Sequence, residues 1–170
     1  PEKDSSHYEQ SSLLDGLSLN DKIAQLICVG FSGNTVQSSA NILSEIENGR
    51  IGGVIFYQGN IARPKGLKKL TSKMQSLSQK HPLLIAIDQE GGMVQRLKDS
   101  NGYKGSLSPE RVANKLSPKQ AKLHYSKMAI QLKNHGFNLN FGTVLDLNYP
   151  NSVISKYERA YSSSVSLTTD

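Results

Sequence analysis

The stretch "LLIAIDQEGGMVQRL", residues 83–97, decides how the rest of the chain is read. Its first residues, Leu83 to Ile87, are apolar without alternation and stop on a carboxylate, Asp88. Such a run predicts a strand buried on both faces of a parallel sheet. The residues behind it are of another kind: Gln89, Glu90, Gly91 and Gly92, then Arg96 further along. In parallel α/β sheets and barrels, ligands bind beyond the C-terminal ends of the strands. An acid, an arginine and a glycine pair at such an end are candidates for holding a polar ligand, the glycines giving room for close approach.

Working outward, "IGGVIFY" (51–57) predicts another buried strand, closed by the turn-prone Gly59-Asn60. Pro64 suits the first turn of a helix whose apolar stripe is Leu67, Leu70, Met74 and Leu77, with Pro82 as its stop. Earlier in the chain, Ser18 to Asp21 has the form of a helix N-terminus, with Ile23, Leu26 and Ile27 as its stripe. A strand is expected over 27–31, a turn at Ser32-Gly33-Asn34, and a helix over 37–48 stopped by Gly49. Downstream, residues 98–117 read as irregular. Ser117-Pro118 opens a helix with Ala121, Tyr125, Met128 and Leu132 on one face, and Gly136 ends it. "FNLNFGTVLDLN" (137–148) is expected as a fourth strand, and the tail behind it as polar loop. The alternation of strand and helix predicts an α/β fold with parallel strands and helical crossovers. Residues 1–17, polar and Ser-rich, read as a flexible lead-in, and 18–170 as one domain.

The formal charge is +6, but the lysines are spread along expected helix faces without interleaved aromatics, which argues for solvated surfaces rather than a nucleic-acid interface. The single cysteine, Cys28, lies in an apolar run and reads as a buried, inert thiol. No apolar stretch is long enough to span a membrane as a helix. Metal-ligand spacing, a serine or cysteine triad, a P-loop and a dinucleotide fingerprint are all missing, so no metal or cofactor is implied.

The polar residues at strand ends are then the candidates. Asp88 can cap the following turn or contact a ligand. Arg96 can pair with Asp88, reach a ligand, or do both. Asp146, at the expected end of strand 4, reads as an orienting acid rather than a ligand. Glu158 and Arg159 follow further along, and Tyr57 reads as a rim aromatic. None of His7, His81, His124 and His135 falls at a strand's C-terminal end.

In this setting "LLIAIDQEGGMVQRL" resembles the signature of glycoside hydrolase family 3, in its bacterial β-N-acetylglucosaminidase branch. "LSLNDKIAQLICVGF", "IGGVIFYQGNI", "GFNLNFGTVLDLN" and "YERAYSSS" follow the family's order, although Gly142-Thr143 stands where Ala-Pro is usual. The resemblance implies a (β/α)₈ barrel, of which this chain would supply the first four β/α units, a half barrel. It implies substrate contacts at the barrel mouth: Asp88 accepting from sugar hydroxyls, Arg96 donating to the same sugar, and Arg159 reaching in from the strand-4 loop. Met93 stands where many members carry a basic residue.

The resemblance further implies that the catalytic groups, a His-Asp acid/base pair and an aspartate nucleophile, belong to later segments. The expectation is therefore the sugar-gripping half of a retaining β-N-acetylglucosaminidase acting on cell-wall or chitin-type oligosaccharides. Its expected partners are an N-acetylglucosamine-containing carbohydrate and the missing barrel half or a second copy. Its location would be the bacterial cytoplasm or cell envelope. The competing expectation is a short, non-catalytic carbohydrate-binding or scaffold protein that pairs its open edges by oligomerisation.

Overall fold

The computed structural model describes residues 15–78 and 81–169. Most of the expected lead-in, residues 1–14, and with it His7, lies outside the described residues. Four parallel strands, β1 (Cys28–Gly30), β2 (Gly53–Phe56), β3 (Leu84–Ile87) and β4 (Leu139–Asn140), lie side by side in chain order. The helices are α1 (Leu19–Gln25), α2 (Ala40–Glu47), α3 (Pro64–Leu77), α4 (Pro109–Lys115), α5 (Pro118–Asn134), α6 (Val153–Lys156) and α7 (Val165–Thr169). No helix among the described residues is long and apolar enough to cross a membrane.

The sheet register explains which residues make the core. Val29, Val54 and Ile85 share one row, and Phe56 and Ile87 the next row on that face. Against this face pack Ile42, Leu43 and Ile46 of α2, Leu67, Leu70, Met74 and Leu77 of α3, and Leu132 of α5. Leu67, Leu70 and Met74 are wholly buried, each such side chain contributing about 1.5–3 kcal/mol. The stripe expected on α3 is thus the one that packs. Phe56 lies at the centre of the layer, its ring edge-on to Phe31 and Phe137.

The opposite face of the sheet differs from expectation. Its rows are Cys28, Gly53 and Leu84, then Gly30, Ile55, Ala86 and Leu139. Leu84 is 43% exposed and Cys28 is exposed, whereas Ala86 and Gly53 of the same face are buried, so this face is only partly covered. Cys28 is therefore not the buried thiol expected, although partial shielding raises its pKa.

Other departures are local. The capping box expected at Ser18 and Asp21 forms, but Ile23 and Leu26 behind it are exposed and only Ala24 of α1 is buried. On α5 the capping box is Ser117 with Gln120, and of its expected stripe Met128 and Leu132 are buried. The irregular stretch 98–117 contains α4, capped by Ser108, and the tail contains α6 and α7. Strand β4 has two residues where twelve were expected. Side chains explain the difference. Asn138 donates to Leu83 O and accepts from Ile85 N, while Asn140 accepts from Gln89 N and donates to Gln89 O. Amide side chains thus occupy places that a backbone ladder would fill, and Asn140 also accepts from Gly142 N as the chain turns away.

The glycines after β3 shape the fold rather than only giving room at its mouth. Gly91 has φ +101°, and a Cβ there would lie 2.0 Å from Leu107 O; Gly92 has φ +59°, and its Cβ would lie 2.5 Å from that of Ser108. The glycine pair lets the 105–108 segment lie against the loop, fastened by Gly92 N donating to Ser106 O. Gly91→Ala should cost about 1–3 kcal/mol from backbone strain alone, read as a lower denaturation midpoint of the full-length protein. Gly59→Ala, where nothing lies within 4 Å of the added carbon, should stay within about 0.5 kcal/mol of the parent.

Candidate functional site

The candidate site is assembled from the ends of the strands upward. After β2, Asn60 is almost fully buried and holds two loops together. Its Nδ2 donates to Phe31 O and to Gly33 O, both at 2.9 Å, and its Oδ1 accepts from Tyr57 N at 2.8 Å. The backbone after β1 is fixed to the backbone after β2 in this way. In the sequence, Asn60 is visible only as part of a turn.

After β3, Gln89 is wholly buried. Its Oε1 accepts from Arg96 N (2.8 Å) and Leu97 N (3.0 Å), and its Nε2 donates to Leu97 O (3.2 Å). The loop is closed on itself, with Leu97 buried beneath it. This closure returns the Arg96 side chain to the strand end, where Nη2 meets Asp88 Oδ2 at 2.8 Å. Both side chains are about one-fifth exposed, 21% and 23%. The pairing foreseen as one reading of Arg96 is present. Asp88 Oδ1 has no protein partner among the described residues. Arg96 Nε is buried without a hydrogen bond, and its guanidinium carbon lies 6.0 Å from the centre of the half-exposed Tyr57 ring.

Arg159 arrives from the segment behind β4, and its partner is a residue that sequence reasoning left without a role. Nε donates to Glu90 Oε2 at 2.9 Å, and Nη2 to Glu90 Oε1 at 2.7 Å. Glu90 is 4% exposed. A carboxylate two residues after Asp88, with an arginine expected from a later loop, is the signal the sequence offers for the pair. The pairing raises the pKa of Arg159, first through the hydrogen bonds it donates to Glu90 and further through the charges of Glu90, Asp146 and Asp88, against the opposing effect of burial. Asp146 is near enough for its charge to be felt but makes no hydrogen bond to Arg159. The structure thus brings Asp88, Arg96 and Arg159 to one rim, with Asp146 as an electrostatic neighbour.

Glu158, next to Arg159, fastens the same segment to α4. It has φ +55°, accepts from Ser108 Oγ at 2.7 Å, and meets Arg111 Nε at 3.1 Å. Its backbone oxygen accepts from Glu110 N. Beside it lies a groove of about 500 Å³ lined in part by Met93, Arg111, Lys156 and Tyr157, with Met93 largely exposed at the loop tip. A groove of similar size, about 560 Å³, lies between residues 104–107 and α5. There His124 has its pKa lowered by burial and by Lys104 and Lys127. No group of three or more His, Cys, Asp and Glu that could hold a metal ion occurs among the described residues.

With this geometry in place, the chain can be set beside known proteins. Residues 18–170 match the glycosyl hydrolase family 3 N-terminal domain, and the chain belongs to that family. The β-hexosaminidase of Methylobacillus flagellatus is 34% identical over 119 residues, 66% of this chain and 33% of that protein. That of Nitrosomonas eutropha is 31% identical over 135 residues, 75% of this chain and 37% of the relative. A glycoside hydrolase family 3 β-N-acetylglucosaminidase from Paenibacillus sp. str. FPU-7 superposes with a TM-score of 0.81 at 32% identity, over 90% of this chain and 29% of the other. The β-N-acetylhexosaminidase of Beutenbergia cavernae shares the fold, with a TM-score of 0.78 and 23% identity over 89% of this chain and 47% of that one. The chain therefore spans about a third of the length of the curated relatives, and its parallel β/α units form a partial (β/α) barrel.

One consequence concerns acid. The Ser108 hydroxyl, with Arg111 and Lys115, holds the Glu158 carboxyl below its ordinary value of 4.5. A lowered folded-state value means that the stabilisation is complete above the unfolded pKa and is lost as pH falls through the folded one. Below about pH 4.5 the parent should lose stability more steeply than Glu158→Gln, which lacks the titrating group. Thermal melts of both proteins between pH 7 and 3 check this.

Proposed function

We propose that this chain is the sugar-gripping part of a retaining β-N-acetylglucosaminidase that removes terminal β-linked N-acetylglucosamine from cell-wall or chitin-type oligosaccharides. The observation that carries the reading is the Asp88–Arg96 pair at the end of β3, beside the Glu90–Arg159 pair, at one rim. Names of similar relatives support it: a β-hexosaminidase and a β-N-acetylglucosaminidase, each above 30% identical. Asp88 Oδ1 accepts from a sugar hydroxyl, Arg96 donates to the same sugar, and Arg159 donates from the other side. A fixed, always charged fork of donors suits a ring with several hydroxyls.

None of these groups is assigned to bond cleavage. Retaining hydrolysis needs a proton donor on one side of the anomeric carbon and a nucleophile on the other. Glu90 has both oxygens on Arg159, and Asp88 has one on Arg96, so neither is held as a proton donor. The acid/base and the nucleophile come from further β/α units of the whole protein. Those units cover the open face of the sheet and meet the outer edges of β1 and β4, a role that a second copy of this chain would fill in the non-catalytic alternative.

Full-length protein should release the aglycone from aryl N-acetyl-β-D-glucosaminides. Removing Asp88 deletes charge-assisted hydrogen bonds of about 1.5–3 kcal/mol each, so Asp88→Ala should lower kcat/KM on the order of 100-fold or more. Wild-type kinetics in that variant would sink the assignment of Asp88. A full-length protein inactive on these substrates would sink the function.

A further inference from the structure

We infer that Glu90 is the positioning residue for Arg159, fixing the plane of its guanidinium so that one edge alone is offered to substrate. The inference rests on the reading above, in which Arg159 touches the sugar. The two residues lie 69 positions apart and come from different strand ends, so their contact cross-links the loop after β3 to the segment after β4. Both oxygens of Glu90 are used, on Nε and Nη2. A fork held at two points cannot rotate about its long axis. Nη1 is the guanidinium nitrogen left without a protein partner among the described residues, and with the second N–H of Nη2 it forms the edge available to a ligand.

The backbone of Arg159 is set by separate contacts. Glu158, in the left-handed region, is fastened by Ser108 and Arg111, and Arg159 N donates to Ile154 O at 3.0 Å. The chain direction at 158–159 is thus fixed by α4 and α6, and the side chain by Glu90. An arginine held only at its backbone would keep the rotational freedom of a long side chain and lose it on binding. Buried ion pairs often add little net stability over apolar residues of similar volume. A buried, bidentate pair at the rim is better accounted for by the geometry it imposes than by the stability it adds.

The test uses the full-length protein, p-nitrophenyl N-acetyl-β-D-glucosaminide for kinetics, N-acetylglucosamine for calorimetric binding, and thermal melts for the fold. Glu90→Gln should lower kcat/KM roughly 10- to 100-fold, the scale of a misplaced contact group, and weaken N-acetylglucosamine binding in parallel. In a double-mutant cycle, adding Glu90→Gln to Arg159→Ala should change kcat/KM by no more than about twofold, because both act through one contact. Should Glu90→Gln not fold, Glu90→Asp keeps the charge but withdraws the carboxylate by one methylene. It should then lower kcat/KM and sugar affinity while still melting cooperatively. A purely structural role would lower the melting temperature and leave KM and sugar affinity unmoved. That result, or losses that multiply in the double variant, overturns the inference while an active parent leaves the functional reading standing. A parent that neither binds N-acetylglucosamine nor cleaves the aryl glycoside overturns both.

Discussion

The side-chain amide of Gln89 closes the loop after β3 onto itself, while its backbone is held by Asn140 at the end of β4. Each polar group at the rim depends on this arrangement. Without the two amides donating to Gln89 Oε1, Arg96 would not be carried back to Asp88. The Asn140 side chain adds a link between the end of β3 and β4 to the backbone bonds from Asn138 N to Ile85 O and from Phe141 N to Ile87 O. A neutral amide suits the task. It donates and accepts at once, and it carries no charge whose burial would have to be compensated.

A hierarchy follows. Wholly buried Gln89 and nearly buried Asn60 and Glu90 organise backbone or side chains, while the partly exposed Asp88, Arg96 and Arg159 face the rim. Removing one partner of a buried ion pair typically costs about 3–5 kcal/mol, because the other charge is left unpaired. The Glu90–Arg159 pair has one partner, Glu90, at 4% exposure, whereas both partners of the Asp88–Arg96 pair are about one-fifth exposed, so Glu90 is the group most strongly tied to its partner.

Much of the fold was legible because the core helices obey simple periodicity. Leu67, Leu70, Met74 and Leu77 recur at helical spacing and all four are buried. The strands were legible in position but not in extent. Strand β4 is only Leu139 and Asn140; Asn138 N and Phe141 N still donate to Ile85 O and Ile87 O, and the side chains of Asn138 and Asn140 add further links to β3 that no apolar count registers. Helix α4 was missed because a short helix between Pro109 and Lys115 carries too little periodicity to stand out from a polar stretch. Of the site, Asp88, Arg96 and Arg159 were legible by type and place. Glu90 was not, because its meaning lies in a partner 69 residues away. The glycine pair was legible as necessary, but its reason was not: the close neighbour is the chain's own 106–108 backbone.

The open face of the sheet has a practical side. Cys28 is the single cysteine of the sequence and sits on that face, in one row with Gly53 and the exposed Leu84. A thiol in this place is a ready chemical reporter. If further β/α units complete the barrel, as proposed, they would shield this thiol from alkylating reagents, so its rate of modification would report that closure without any substrate.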